Sequence, residues 1–346
     1  VWFLDIADNR VTHGGTGIQL GHRFYGDRQF HLDARVANNT LTGNDRNGLH
    51  VRTGRSAVSE LTIMGNTLAE NDGAGAYLAS RFLRNSTIAH NQLASNAKAG
   101  LSISTRQMND SRIENNLARA NSGHGMSVVA ERSVSNLTVS HNRALDNAGV
   151  GVTIRNDELT KREIRIRENL LAANAYGLRV SGPQAVRILE NAIVFNTYGF
   201  GEPTSLSGYE EGTGVILEGG RSNVIMERND VYGHDVGLVT TTRGTVVAER
   251  NFWGEASGPY HRSINTEGRG NPVLTRSGWV DLFPVATDPI GRTYHRPTPR
   301  LSVTPKTGTP DDTFVLSGAN SSDPDGRVKN YRFSLDGHPT TVSGRD

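Results

Sequence analysis

An all-β solenoid, a parallel β-helix, is what this sequence predicts. Three observations carry that reading: an asparagine that recurs along most of the chain, an apolar residue three places before each occurrence, and a glycine further on that opens a short alternating run. The asparagines are Asn9, Asn39, Asn66, Asn91, Asn116, Asn142, Asn169, Asn191, Asn229 and Asn251, separated by 30, 27, 25, 25, 26, 27, 22, 38 and 22 residues. Three places earlier stand Ile6, Val36, Ile63, Ile88, Ile113, Val139, Ile166, Ile188, Met226 and Ala248, all apolar. A second asparagine returns five residues later at Asn44, Asn71, Asn96, Asn121, Asn147, Asn174 and Asn196. A period of about 20 to 50 residues marks a repeat stack in which no unit buries its own apolar face and each relies on its neighbours.

Within one unit the first strand is short and alternates, as in Leu61-Thr62-Ile63-Met64, and the chain bends at Gly65-Asn66. Asparagine suits that bend because it tolerates the left-handed backbone region, and its amide can bond to its equivalent one coil away. After the second asparagine come runs such as Gly48-Leu49-His50-Val51, Gly100-Leu101-Ser102-Ile103 and Gly151-Val152-Thr153-Ile154. Each unit therefore reads as three strands separated by turns. Ten coils at about 4.8 Å would make a rod roughly 50 Å long, threaded by asparagine ladders. A leucine-rich repeat has a similar period, but it needs a denser leucine framework, and no unit here contains a helical stripe.

Composition narrows the function classes. The chain has 346 residues, with Lys+Arg 37 against Asp+Glu 35 and a formal charge of +2. Near-balanced charge gives no electrostatic case for nucleic acid or a membrane surface, since those partners need basic residues gathered on one face. Cysteine is absent, which removes disulfides, thiolate zinc sites and cysteine nucleophiles. No apolar run approaches the roughly 20 residues of a membrane helix. The opening Val1-Trp2-Phe3-Leu4-Asp5 lacks a basic leader, so the expectation is a chain that begins inside a fold, with an N-terminal cap missing.

The repeat resembles the right-handed parallel β-helix proteins of the pectin-lyase-like superfamily, especially their NosD-like surface and periplasmic group, over about residues 1 to 287. The most specific part is the end of the repeat: Asn251-Phe252-Trp253-Gly254, Ser257-Gly258-Pro259, Asn271-Pro272-Val273 and Val280-Asp281-Leu282-Phe283-Pro284. A solenoid must stop with a unit that shields its last open core, and Trp253 and Trp279 are read as lids. The resemblance implies a secreted, cell-surface or periplasmic prokaryotic protein whose exposed strand face meets polysaccharide, and a monomer. Fold alone does not transfer an activity.

The expected division is a β-helix over 1–288, a linker over 289–299 around Pro297-Thr298-Pro299, and a partial sandwich over 300–346. Leu301-Ser302-Val303, Phe314-Val315-Leu316, Ser321-Ser322-Asp323-Pro324-Asp325-Gly326 and Tyr331 to Gly337 resemble the first half of a PKD domain, an immunoglobulin-like sandwich. Cofactors are expected to be none, with calcium at Asp323, Asp325 and Asp336 as the one cation option, although Asp-Pro-Asp-Gly is first of all a turn. The histidines are scattered along the chain and form no metal spacing. The sequons at Asn38, Asn85, Asn109, Asn136 and Asn320 fit an exported surface protein weakly, because an asparagine-rich repeat produces several by chance.

Alternation sends Leu49 and Val51 inward, so His50 and Arg52 face out. The same rule exposes a row of Gln19, His50, Arg52, Tyr77, Ser102, Ser104, Ser127, Thr153, Arg155, Arg179, Ile216 and Glu218. Of these, His50, Arg52, Tyr77, Arg155 and Arg179 are the candidate substrate-binding residues, the arginines because a guanidinium grips carboxylate or sulfate bidentately. The 38-residue step swells into a loop from Thr197 to Thr213 that holds Glu202, Tyr209, Glu210 and Glu211. Loops on solenoids often carry function, which makes Tyr209, Glu210 and the neighbouring Glu218 the candidate catalytic residues, and His22 to Arg28 a second groove wall. His234-Asp235 stands where other repeats have the second asparagine, and the simplest account is a substituted rung. Three functions remain open: carbohydrate recognition, a polysaccharide lyase, hydrolase or epimerase in the same groove, and a structural stalk.

Overall fold

The computed structural model describes residues 2–21, 31–54, 57–156, 163–182, 185–197, 211–220, 223–291, 298–309, 313–322, 333–335 and 338–340. The chain divides into two compact units, Val1–Arg292 and Thr293–Asp346. The first is a parallel β-solenoid without helices among the described residues. Its strands join laterally into a twenty-stranded and a nine-stranded parallel sheet. The nine-stranded sheet holds the strands that follow the first asparagine, from Arg10–Thr12 through Thr67–Ala69 to Asp230–Tyr232. The other joins the post-glycine strands to the strands leading into the asparagine, and two strands, Leu101–Glu114 and Met126–Ser140, run continuously through both.

There are about eight turns rather than ten. Ten corners delimit only nine intervals, and the chain after Asn251 makes a single bridge, Asp230 to Phe252, in place of a strand. The core is one apolar column of Leu, Ile, Val, Met and Ala from Leu20 to Leu282, closed by the fully buried Trp253. Trp279, read from sequence as a second lid, is 64% exposed, because it pairs edgewise with Thr245 and points outward while the adjacent Val280 points in.

Both asparagine ladders are present. Asn91 shows the rung: its backbone N–H donates to Asn116 Oδ1 at 3.0 Å, and its amide nitrogen lies 2.9 Å from Asn116 Oδ1, Ile63 O and Ala89 O. The pattern repeats from Asn9 to Asn251, with every rung from Asn39 onward buried. The bend itself is made one residue earlier than the sequence suggests. Positive φ belongs to Asp8, Asn38, Gly65, His90, Asn115, His141, Glu168, Glu190, Arg228 and Arg250, the residues just before the ladder. The ladder asparagine is thus chosen for its amide, which satisfies buried backbone groups at a corner where neighbouring coils cannot.

The second ladder explains the glycines. A Cβ on Gly125 would sit 2.6 Å from Gly151 O and 3.0 Å from Asn147 Nδ2, and Gly48, Gly75, Gly100 and Gly151 meet the same two obstacles. These glycines are required for close approach between coils, not for an unusual φ. At the corner that precedes the first strand, Ser86 and Ser111 make a short hydroxyl version of the ladder, Ser86 N–H donating to Ser111 Oγ at 3.3 Å.

The end of this unit folds back. The carboxylate of Asp230, on the outer surface of the nine-stranded sheet, accepts the backbone N–H groups of Ile290 and Gly291 at 2.7 and 2.8 Å. Burial raises the Asp230 pKa, opposed by these two bonds. His261 is buried with Nδ1 accepting from the N–H of Ser263 and Ile264, and Nε2 lies 3.2 Å from Thr275 Oγ1. Those bonds require a neutral ring.

In the second unit Ser302–Thr304 pairs antiparallel with Val315–Ser317, and Phe333–Leu335 with His338–Thr340. Asp323, Asp325 and Asp336, the residues of the calcium option, lie outside the described residues.

Candidate functional site

The post-glycine strands stack in strict register, and this sets two outward rows. The first runs Gln19, His50, Tyr77, Ser102, Ser127, Thr153, Arg179, Ile216, Val239 and Leu274. The second, two residues further along each strand, runs Arg52, Ala79, Ser104, Val129, Arg155, Ser181 and Glu218. Five coil steps separate His50 from Arg179, about 24 Å at roughly 4.8 Å per coil.

The rows are not uniformly open. Ser127, Thr153 and Ile216, expected from alternation to be exposed, are buried, as is Val239. Alternation decides only whether a side chain faces the core. Ile216 packs instead into a second apolar cluster with Val150, Ala175 and Tyr176, outside the main column. The first row is therefore accessible in separate stretches, interrupted at Ser127 and Thr153 and again at Ile216 and Val239, while the second row stays at least partly exposed from Arg52 to Glu218.

One stretch holds His50 and Tyr77, whose rings meet edge to face with centroids 5.2 Å apart. His50 Nε2 is buried without a hydrogen-bond partner, and burial lowers the pKa of the ring, with the Arg52 charge adding to the effect. Beyond them lie the hydroxyls of Ser102, half-buried, and Ser104, exposed. Arg52 is exposed beside Ala79.

A second stretch holds Arg179 and Glu218. Their ion pair has Nε to Oε2 at 2.7 Å, with side chains 27% and 15% exposed, one residue in each row and one coil apart. His124 belongs to the same neighbourhood: burial lowers its pKa first, and the Arg179 charge second. Its Nδ1 accepts the Val150 N–H at 3.0 Å, which leaves the neutral ring with its proton on Nε2. Arg155 is exposed in the second row.

The structure thus joins Arg179 to Glu218 and His50 to Tyr77, while Tyr209 and Glu210, like the loop from His22 to Arg28, lie outside the described residues. Glu218 is the single carboxylate of the two rows among the described residues. His124 was missed from sequence, although its place directly before Gly125 was a signal, since other coils put Asn47, Ala74 and Ala99 there. His234 is a rung of the second ladder. Its Nδ1 accepts the Asn196 N–H at 3.2 Å and its Nε2 lies 2.8 Å from Ile193 O, reproducing the acceptor and donor of an asparagine amide. Asn271, also missed, takes the next rung, with Oδ1 accepting the His234 N–H. Among the described residues no group of His, Asp and Glu is placed to hold a metal ion, and no helix is long and apolar enough to cross a membrane.

Residues 3–171 match a family model described as a right handed beta helix region. A search of curated proteins finds no match. Solved structures similar to this chain include the pectate lyase Pel9A, 13% identical with a TM-score of 0.41, covering 82% of this chain and 69% of that one. The periplasmic alginate epimerase AlgG is 15% identical with a TM-score of 0.43, covering 80% of this chain and 61% of the epimerase, less than two thirds of its length. The A-module of the mannuronan C-5 epimerase AlgE6 from Azotobacter vinelandii is 16% identical with a TM-score of 0.34, covering 83% and 81%.

Proposed function

We propose that this is an exported β-helix protein that recognises a glycan chain along the two outward rows of its post-glycine strands. The observation that carries the reading is the composition of those rows in register. An aromatic pair, His50 and Tyr77, stands at one end, serine hydroxyls follow, and a guanidinium and carboxylate stand at the other. Sugars offer apolar C–H faces to aromatic rings and hydroxyls to fixed polar groups, and a flat strand face that repeats at about 4.8 Å suits an extended polymer. A NosD-like surface role, with the second unit as a PKD-like spacer, belongs to the same reading.

Recognition is favoured over glycosidic hydrolysis because that chemistry needs two carboxylates about 5 to 10 Å apart, and Glu218 has an arginine where a second carboxylate would stand. An elimination or epimerisation reading rests on neutral His124 close to Arg179, an Nε2–H proton donor beside a cation of the kind that stabilises an enolate. A glycan array with the purified chain, each hit paired with an assay for reducing ends and unsaturated uronates, separates the readings. Binding without product, weakened at least tenfold by Tyr77→Ala, is the expected result. Product that disappears in His124→Gln would replace recognition with catalysis, and no binding at all would leave a structural stalk.

A further inference from the structure

The corner that leads out of the post-glycine strands carries a cluster of arginines that the rows above do not use. Ser80 pairs with Thr105 and Phe82 with Gln107, so Arg81 and Arg106 between them stand level on neighbouring coils, about 4.8 Å apart along the backbone. Both are half-buried. Arg81 and Arg84 hold their guanidinium carbons 5.2 and 5.1 Å from the centre of the Phe82 ring, and Arg52 lies on the preceding coil opposite Ala79. Among the described residues none of the four makes an ion pair. Glu131, the acidic residue at this corner one coil on, is exposed and likewise belongs to no ion pair among the described residues. The Nε of Arg81 is buried without a hydrogen-bond partner.

Elsewhere on the solenoid, several cations are neutralised from a neighbouring coil: Arg35 by Asp5, Arg179 by Glu218, and Arg228 by Glu190. Two level guanidiniums repel, and a buried donor left unsatisfied is costly, so this corner is built at a loss unless something negative completes it. We propose that the Arg81–Arg106 corner, flanked by Arg52 and Arg84, is an anion site that takes the sulfate ester of a sulfated glycan. One guanidinium fork engages both oxygens of a carboxylate, whereas a sulfate ester spreads its charge over three free oxygens, enough to give two forks at one-coil spacing separate oxygens. The site lies along the edge of the strands that carry Tyr77 and Ser104, so a chain bound there would have its charged substituents read at the corner. The inference deepens the glycan reading and rests on it.

Titration calorimetry with dextran sulfate, polygalacturonate and neutral dextran tests it. The native chain is expected to bind dextran sulfate at physiological salt and to prefer it to polygalacturonate. Arg81→Gln/Arg106→Gln should weaken that binding at least tenfold with an unchanged melting temperature. Arg46→Gln/Arg143→Gln, an equal loss of exposed charge elsewhere, should change it less than twofold. Polygalacturonate bound more tightly, no binding of dextran sulfate, or an equal loss in both double variants would overturn the proposal. A glycan hit that needs Tyr77 but ignores Arg81 and Arg106 would leave the recognition reading standing and remove only this site.

Discussion

The two ladders of the solenoid follow the same rule with different strictness. The first is asparagine at every rung from Asn9 to Asn251, and from Asn39 to Asn229 each amide contacts its neighbour, the carbonyl two residues back and a carbonyl of the preceding coil. The second accepts His234 between Asn196 and Asn271, in the coil that follows the longest step of the repeat and next to the strand of Glu218. Imidazole can stand there because that rung is asked for one acceptor and one donor, and a neutral ring supplies both. What is kept along the stack is the hydrogen-bond pattern, and residue identity follows only where no other side chain can supply it.

Breaking the stricter ladder should cost most. Asn142→Ala removes the acceptor for both the N–H and the amide of Asn116 inside the core, and a loss of about 3 kcal/mol is expected in urea unfolding. His234→Leu, which deletes one acceptor and one donor, should cost about 2 kcal/mol, whereas His234→Asn should stay within about 0.5 kcal/mol of the native chain. A larger cost for asparagine than for leucine would show that the ring is held by packing. Gly125→Ala tests the coil contact beside the second ladder and should cost about 2 kcal/mol through overpacking. Gly15→Ala, where an added Cβ meets nothing within 4 Å, is the neutral control.

The smallest effect is one of pH. Burial lowers the pKa of His124 and His261 in the folded chain, so the folded state binds fewer protons than the unfolded one below the ordinary value. Stability is therefore fully present above about pH 6.5 and falls as the pH drops from there through the folded values. The urea midpoint should decline over that range, and His124→Gln should flatten the decline. A midpoint that rises on acidification would contradict the assigned ring states.

Much of the fold was legible because the period is written in two residue types with a steric or hydrogen-bonding reason for every occurrence. Asn66, Gly75 and Ile63 each announce a place in the coil from sequence alone. The left-handed bend was misplaced by one residue because the residue that makes it varies among Asp, Asn, Gly, His, Glu and Arg, so no letter marks it. The exposure of the outer rows was only half legible. Alternation says that Thr153 and Ile216 point away from the core, but not that both are buried, Ile216 in a second cluster with Val150 and Tyr176. The Arg179–Glu218 pair was readable from register, while the part of His124 was hidden by its looking like ordinary turn sequence.

Glycan recognition by the post-glycine strands requires that this face of the solenoid, and no other, meets the ligand. Hydrogen–deuterium exchange of the backbone amides, with and without the tightest-binding glycan of the array, reads that face directly. Slowed exchange confined to 49–52, 76–81 and 101–106, with extension to 178–181 for longer chains, is the predicted footprint. Protection centred instead on the strands that follow the asparagines, such as Thr67–Ala69 and Leu117–Arg119, would contradict it.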